Sequence, residues 1–145
     1  MAHAFQCEIV TAEEQLFSGK IQSAVVPGKL GDMGIYAGHS ALISKLRPGV
    51  IRLVLENNSV QQESIFYVSG GFVEVVPTTI TVLAEKVIRA EDIDEKAATE
   101  AKRHAQELMN HPSKDLDYAR AMVQLTEALA QLRTLDEIRK LIRGR

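Results

Sequence analysis

Cysteine occurs once, at Cys7, tryptophan is missing, and aromatic residues make up only 5% of the chain. One cysteine excludes an internal disulfide framework and a thiolate metal cluster. Cys7 alternates with the apolar Phe5 and Ile9 and has no basic neighbour to activate it, so it reads as a buried strand residue. The few aromatics are not interleaved with basic residues, which leaves no stacking platform for nucleic acid. His3, His39, His104 and His111 are scattered and lack the spacing of a metal pair, so no metal is expected. No apolar run approaches the roughly 18 residues needed to span a bilayer. Nor does a basic region followed by an apolar run mark a signal peptide. A soluble, cytosolic chain is expected. Phosphate-binding loops, dinucleotide fingerprints, His-Glu-x-x-His and Gly-x-Ser-x-Gly are all missing, which predicts no catalytic residues and no cofactor.

A further scarcity is positional. Of nine glycines, eight lie at or before Gly71 and only Gly144 comes later. The first half alternates short apolar stretches with Gly and Pro, as strands and turns do. The second half repeats apolar residues every three or four positions, as helices do. Both fit a chain that is 46% hydrophobic and 25% charged, with net charge −2. Residues 1–87 carry 6 basic and 8 acidic side chains, and 88–145 carry 11 of each. The expected fold class is therefore α+β: an N-terminal antiparallel β-sandwich (1–87) followed by a C-terminal antiparallel two-helix hairpin (88–145). The charged segment Ala84 to Asp92 joins them.

Strands are predicted at Phe5 to Ile9, Ile21 to Val26, Ala41 to Leu46, Val50 to Glu56, Val60 to Ser69, Phe72 to Val76 and Ile80 to Ala84. Asn57-Asn58 reads as a hairpin turn and Ser69-Gly70-Gly71 as a β-bulge. The stretch Gly31 to His39 holds three glycines, which implies tight turns or close backbone approach. In the second half, Asp92 and Glu95 have the spacing of a capping box. Ile93, Ala97, Ala101, Ala105 and Leu108 form a stripe of mostly small residues, and Asn110-His111-Pro112 ends that helix. Ser113 or Asp115 caps the next, which runs from about Leu116 to Leu141. Its main stripe is Met122, Leu125, Leu129, Leu132, Leu135, Ile138 and Ile142, widened by Ala119, Val123, Thr126 and Ala130. A lone hairpin buries little surface, so it must dock on the sandwich or on a partner.

Two features invite a functional reading. His39 follows the glycine-rich stretch and is a candidate general base, against the plainer reading of a histidine bonded at a turn. Residues 133–145 carry five positive and two negative charges, which either complement a helix C-terminus or face an acidic partner. Asp136 and Lys140 can pair, whereas Arg139 and Arg143 repel with nothing internal expected to neutralise them.

Several segments together are similar to the epsilon subunit of bacterial F-type ATP synthases. They are Val10 to Gly19, Gly31 to His39, Pro48-Gly49, Tyr67 to Gly71, Thr81 to Ala84, and Ile93-Asp94. The resemblance runs over essentially the whole chain. It implies a rotor subunit of the central stalk without catalysis of its own, at the cytoplasmic face of the bacterial inner membrane. Membrane association would come only through the complex, and nucleic acid is not a partner. The sandwich would bind the gamma subunit and rest on the c-subunit ring, with Asp32, Met33 and His39 as contact candidates. The hairpin would swing on a hinge at Val87, Ile88, Arg89 and Ala90. Extended, it would inhibit ATP hydrolysis by contacting alpha and beta through Arg133, Arg139, Lys140 and Arg143. Some relatives bind ATP through a motif whose matching residues here are Ile93, Asp94 and Ala98. The motif's arginine is replaced by Ala97, so ATP is not expected as a regulatory ligand. A β-sandwich adaptor docking an unrelated partner is the alternative reading.

Overall fold

In the computed structural model, residues 3–56, 62–110 and 115–143 are described. Nine strands come first: β1 (Phe5–Val10), β2 (Gln15–Gly28), β3 (Gly31–Tyr36), β4 (Leu42–Leu46), β5 (Gly49–Leu55), β6 (Gln62–Val68), β7 (Gly71–Val76), β8 (Thr79–Ala84) and β9 (Val87–Arg89). A 3-10 turn (Ala90–Asp92) leads to α1 (Glu95–Asn110), and α2 (Asp115–Arg143) follows. The expected Asn57-Asn58 turn and the boundary residues His111, Pro112 and Ser113 lie outside the described residues.

Alternation sets the core. Phe5, Cys7 and Ile9 on β1, Ile51 and Leu53 on β5, Val73 and Val75 on β7, and Ile80, Val82 and Ala84 on β8 all point into one buried cluster. Strand β2 spans 14 residues and serves both layers of the sandwich. Its first part pairs with β1, and its later part pairs with β3 and β5 around an irregularity between Ile21 and Ser23. Strands β1, β8, β7 and β4 return to β2 to close one layer, and β5, β6 and β9 extend the other. One pair departs from the expected antiparallel arrangement. β1 and β8 run parallel, from Gln6 opposite Thr79 to Val10 opposite Leu83.

The predicted bulge at Ser69-Gly70-Gly71 is instead a connection between β6 and β7. From Gly71 onward, β7 registers without a break against both β4 and β8. Gly71 has φ +134°, and a Cβ placed there would lie 2.2 Å from the Leu83 carbonyl oxygen. Only glycine lets three strands converge here.

The expected boundary after Val87 falls inside β9. Val87, Ile88 and Arg89 pair with Val68, Tyr67 and Phe66, so the sheet ends at Arg89. The cap of α1 also differs from expectation. Asp92 sits in the 3-10 turn, and the Asp94 side chain accepts the Ala97 N–H at 3.0 Å. Asp94 therefore satisfies an orphan donor at the helix start.

The helices pack on each other and α2 lies across β5 and β6. Ala98 and Ala105 on α1, and Ala121 and Ala128 on α2, are buried. Each pair is two turns apart, so both backbones present small residues along a line and can approach closely. Of the predicted stripe, Ile93 and Ala105 are buried, whereas Ala97 and Ala101 are exposed and Ala98 takes the inward place. On α2, Met122, Val123 and Leu129 are exposed, while Ala121, Ala128, Ala130 and Thr134 are buried. The buried face is narrower than predicted, and apolar surface remains uncovered.

Candidate interaction surfaces

The β2–β3 hairpin carries the first group of expected contacts. Leu30 stands fully exposed at its tip, and the tip and β4 line a cleft of about 480 Å³ that includes Asp32, Met33 and Lys45. Met33 is partly buried against the core. Asp32 is paired within the chain: Arg47 Nη2 donates to its Oδ1 at 2.5 Å. His39 lies beyond the far end of β3, and its ring Nδ1 bonds the Ser40 carbonyl oxygen at 2.8 Å. The hairpin brings Asp32 and Met33 together, and His39 stands apart from them. On the layer that holds β4, β7 and β8, Ile43, Phe72 and Leu83 are exposed, with Phe72 opposite Leu83 in the ladder. These three were not singled out from sequence, although each sits on the outward phase of an otherwise regular alternation.

The expected hinge is well anchored. Val87 is buried. Arg89 Nη2 donates to the Leu16 carbonyl at 2.6 Å, and its guanidinium lies 5.4 Å from the Phe66 ring centroid. Phe66 in turn meets Phe17 edge-on at 6.1 Å. Ala90 is fully buried, whereas Glu91 and Asp92 are exposed.

The basic end of α2 is largely occupied inside the chain. Arg139 Nη2 donates to Glu95 Oε2 at 2.5 Å and approaches Asp136 at 4.0 Å. Glu95's hydrogen bond and charge hold the guanidinium further toward its protonated form. This corrects the expectation that nothing internal neutralises Arg139. Lys140 pairs with Glu137 at 3.7 Å rather than with Asp136. Arg133 is exposed and makes no ion pair among the described residues. The Arg143 side chain lies outside them.

Sequence reasoning missed the contacts that seat α2 on the sandwich. Arg52, from the middle of β5, reaches Glu63 on β6 at 3.4 Å and Glu137 on α2 at 3.5 Å. Tyr67, Ile93 and Ala130 form a small buried cluster flanked by Ile88 and Leu135. A charged residue inside the apolar run of β5 was the available signal.

The three residues matched to the ATP motif have structural employment. Ile93 plugs the α2–sandwich seam, Asp94 caps α1 and Ala98 is buried in the helix pair. Ala97 and Ala98 border a cleft of about 630 Å³ between the helices, with Arg103 and His104 on its rim. Arg103 is turned toward Glu107 at 2.7 Å.

Among the described residues, no helix is long and apolar enough to cross a membrane, and no cluster of three potential metal ligands occurs.

Comparison with known proteins accounts for this two-part design. The family model for the ATP synthase Delta/Epsilon chain, beta-sandwich domain, matches residues 4–90. The model for the long alpha-helix domain of the same chain matches 91–136. The ATP synthase epsilon chain of Chromohalobacter salexigens is 44% identical over 137 residues, covering 94% of this chain and 95% of that one. Among solved structures, the Euglena gracilis mitochondrial ATP synthase (OSCP/F1/c-ring, rotational state 1) contains a chain of like fold. Its TM-score is 0.82 at 18% identity, over 91% of this chain and 81% of that one. The central stalk and c-ring structure of the Tetrahymena thermophila mitochondrial ATP synthase contains another, with TM-score 0.57 at 13% identity, over 92% and 97%. The chain belongs to the ATP synthase delta/epsilon chain family, and the epsilon chain is the member it matches along nearly its whole length.

Proposed function

We propose that this chain is a rotor subunit of the central stalk whose sandwich joins gamma to the c-subunit ring and whose hairpin inhibits ATP hydrolysis when it extends. The observation that carries this reading is the shallow seating of α2. A small apolar cluster and partly exposed ion pairs hold it, while Met122, Val123 and Leu129 on the same helix remain uncovered. A helix seated this way can exchange one surface for another at a difference of a few kcal/mol, as a two-state element requires.

The β2–β3 hairpin, with Asp32 and Met33 near its tip, is the part proposed to meet the c ring, with His39 farther along. The exposed Ile43, Phe72 and Leu83 suit an apolar partner surface such as gamma. Arg133, Arg139, Lys140 and Arg143 would face acidic surfaces of alpha and beta after extension. The pivot that preserves the β9 ladder and the Arg89 contacts starts at Glu91, just past the expected Val87 to Ala90. Weak or absent ATP binding is proposed, because Ala97 supplies no cation and Arg103 is engaged by Glu107. In the assembled complex, the chain would lie at the cytoplasmic face of the bacterial inner membrane.

The test is truncation after Ala90 followed by ATPase assay of the reconstituted synthase. Hydrolysis is expected to rise. An unchanged rate, with the truncated chain still incorporated, removes the inhibitory role.

A further inference from the structure

The seam between α2 and the sandwich contains a polar anomaly. Tyr67 is 0% exposed, and its ring packs with Ile93 and Ala130. Among the described residues its hydroxyl has no hydrogen-bonding partner, and the buried Ser69 hydroxyl has none either. Both belong to one surface. Alternation along the strand places Ile65, Tyr67 and Ser69 on the same side. Phe66 and Val68, between them, enter the sandwich core. The outward side is the one α2 covers.

The groups facing these hydroxyls come from α2. Gln131 approaches the phenol without closing a hydrogen bond, and the charge of Glu127 acts on it from one turn earlier. Ser69 borders a cleft of about 390 Å³ whose opposite wall includes Met122, Thr126 and Glu127.

A hydroxyl taken from water and given no partner counts against the state that buries it. Native interiors contain few such groups. Here the penalty exists only while the hairpin is seated. Once α2 leaves, both oxygens return to water. Phenylalanine and alanine would fill the same space without it, so the ring and the small side chain explain the packing but not the hydroxyls.

We propose that the hydroxyls of Tyr67 and Ser69 form a release device, a built-in polar mismatch that keeps the hairpin's docking equilibrium near balance. This deepens the reading of a movable hairpin and rests on it. The apolar contacts of Tyr67, Ile93 and Ala130 pull α2 onto the sandwich, and the two hydroxyls oppose them at the same spot. Docking is thereby specific in place without being tight.

Amide hydrogen exchange on the full-length chain tests this without any partner subunit. Protection along residues 125–138 of α2 is compared with that of the sandwich core. In the Tyr67→Phe variant, exchange in α2 is expected to slow about tenfold while the core is unchanged. Ser69→Ala should shift it the same way by less. Ile93→Ala, which only removes apolar contact, should speed it and so shows that the assay reads docking. Unchanged or faster α2 exchange in Tyr67→Phe overturns the release device, because the hydroxyl is then neutral or favourable when docked. If α2 in the unaltered chain opens only together with the sandwich core, the movable hairpin itself fails, and the device with it. The two failures are distinguishable.

Discussion

Arg52 on β5 and Glu137 on α2 meet at 3.5 Å across 85 residues of sequence, making a charge pair that joins the sandwich to the helix. Arg52 also holds Glu63 at 3.4 Å, and Glu137 also holds Lys140 at 3.7 Å. The four side chains form one chain of charge across the seam. All are partly exposed, so each pair contributes about 1 kcal/mol or less.

Replacing Arg52 with Met keeps the aliphatic stem and removes the charge. Amide exchange in α2 is expected to accelerate about two- to fivefold, with sandwich stability little changed. The effect should shrink between roughly 0.05 M and 0.5 M salt as screening weakens the pair in the unaltered chain. Equal acceleration at both salt levels would mean that Arg52 acts through packing.

Glu95 and Arg139 tie the start of α1 to the last turns of α2. In the inhibitory reading, Arg139 must leave Glu95 before it can face an acidic partner. Glu95→Gln should therefore strengthen inhibition of the reconstituted synthase by about twofold, read as lower steady-state ATP hydrolysis. Glu95→Gln combined with Arg139→Gln should lose that gain. If the single variant inhibits no better than the parent, Arg139 is not the limiting cation.

How much of the fold is legible in the sequence depends on how local each cause is. β1 was legible because Phe5, Cys7 and Ile9 alternate by themselves, and so was the change from strand to helix after Ala84. β3 was not. Gly31 and Gly34 blank its pattern, and it is a strand only because β2 lies opposite, with Val25 against Gly34. The three residues of β9 were hidden for the same reason, since β6 makes them a strand. The α1 stripe was misread in part because alanines stand on both faces, and only packing against α2 selects Ala98 over Ala97. Charge partners were the least accessible. Asp136 and Lys140 have the right local spacing, yet Glu137 takes Lys140, and Arg139 finds Glu95 44 residues away. Asp32, read as a candidate c-ring contact, already has Arg47.

Gly71 should be the least tolerant glycine of the sandwich. Its positive φ acts together with the Leu83 oxygen, which stands 2.2 Å from where a Cβ would be, so Gly71→Ala forces β7 and β8 apart. A loss of about 2–4 kcal/mol in urea unfolding is expected. Gly31→Ala is the comparison. Its φ of +144° is strained too, but nothing lies within 4 Å of the added carbon, so the loss should be about 1–2 kcal/mol. Similar losses at both sites would show that backbone conformation alone, without the close approach, sets the requirement.

Alkaline pH should weaken the sandwich and the docking of the hairpin separately. Burial pushes the Cys7 thiol from 9.0 to about 12, with Glu8 adding to it. Burial likewise pushes the Tyr67 phenol from 10.0 to about 12, with the charge of Glu127 adding to it. In both cases the fold favours the neutral form, so the folded state has the higher pKa. Their contribution is complete below the unfolded values and is lost as pH rises toward the folded ones. Sandwich stability, followed by urea unfolding, should begin to fall above about pH 9, and Cys7→Ala should flatten that fall. Hairpin docking, followed by α2 amide protection relative to the core, should weaken only above about pH 10. Tyr67→Phe should make docking insensitive to pH there while leaving the Cys7 response in place. A thiol reagent supplies an independent check, because a buried neutral Cys7 should react at neutral pH only as fast as the sandwich opens. Rapid labelling of the folded chain would show that the thiol is neither buried nor held neutral.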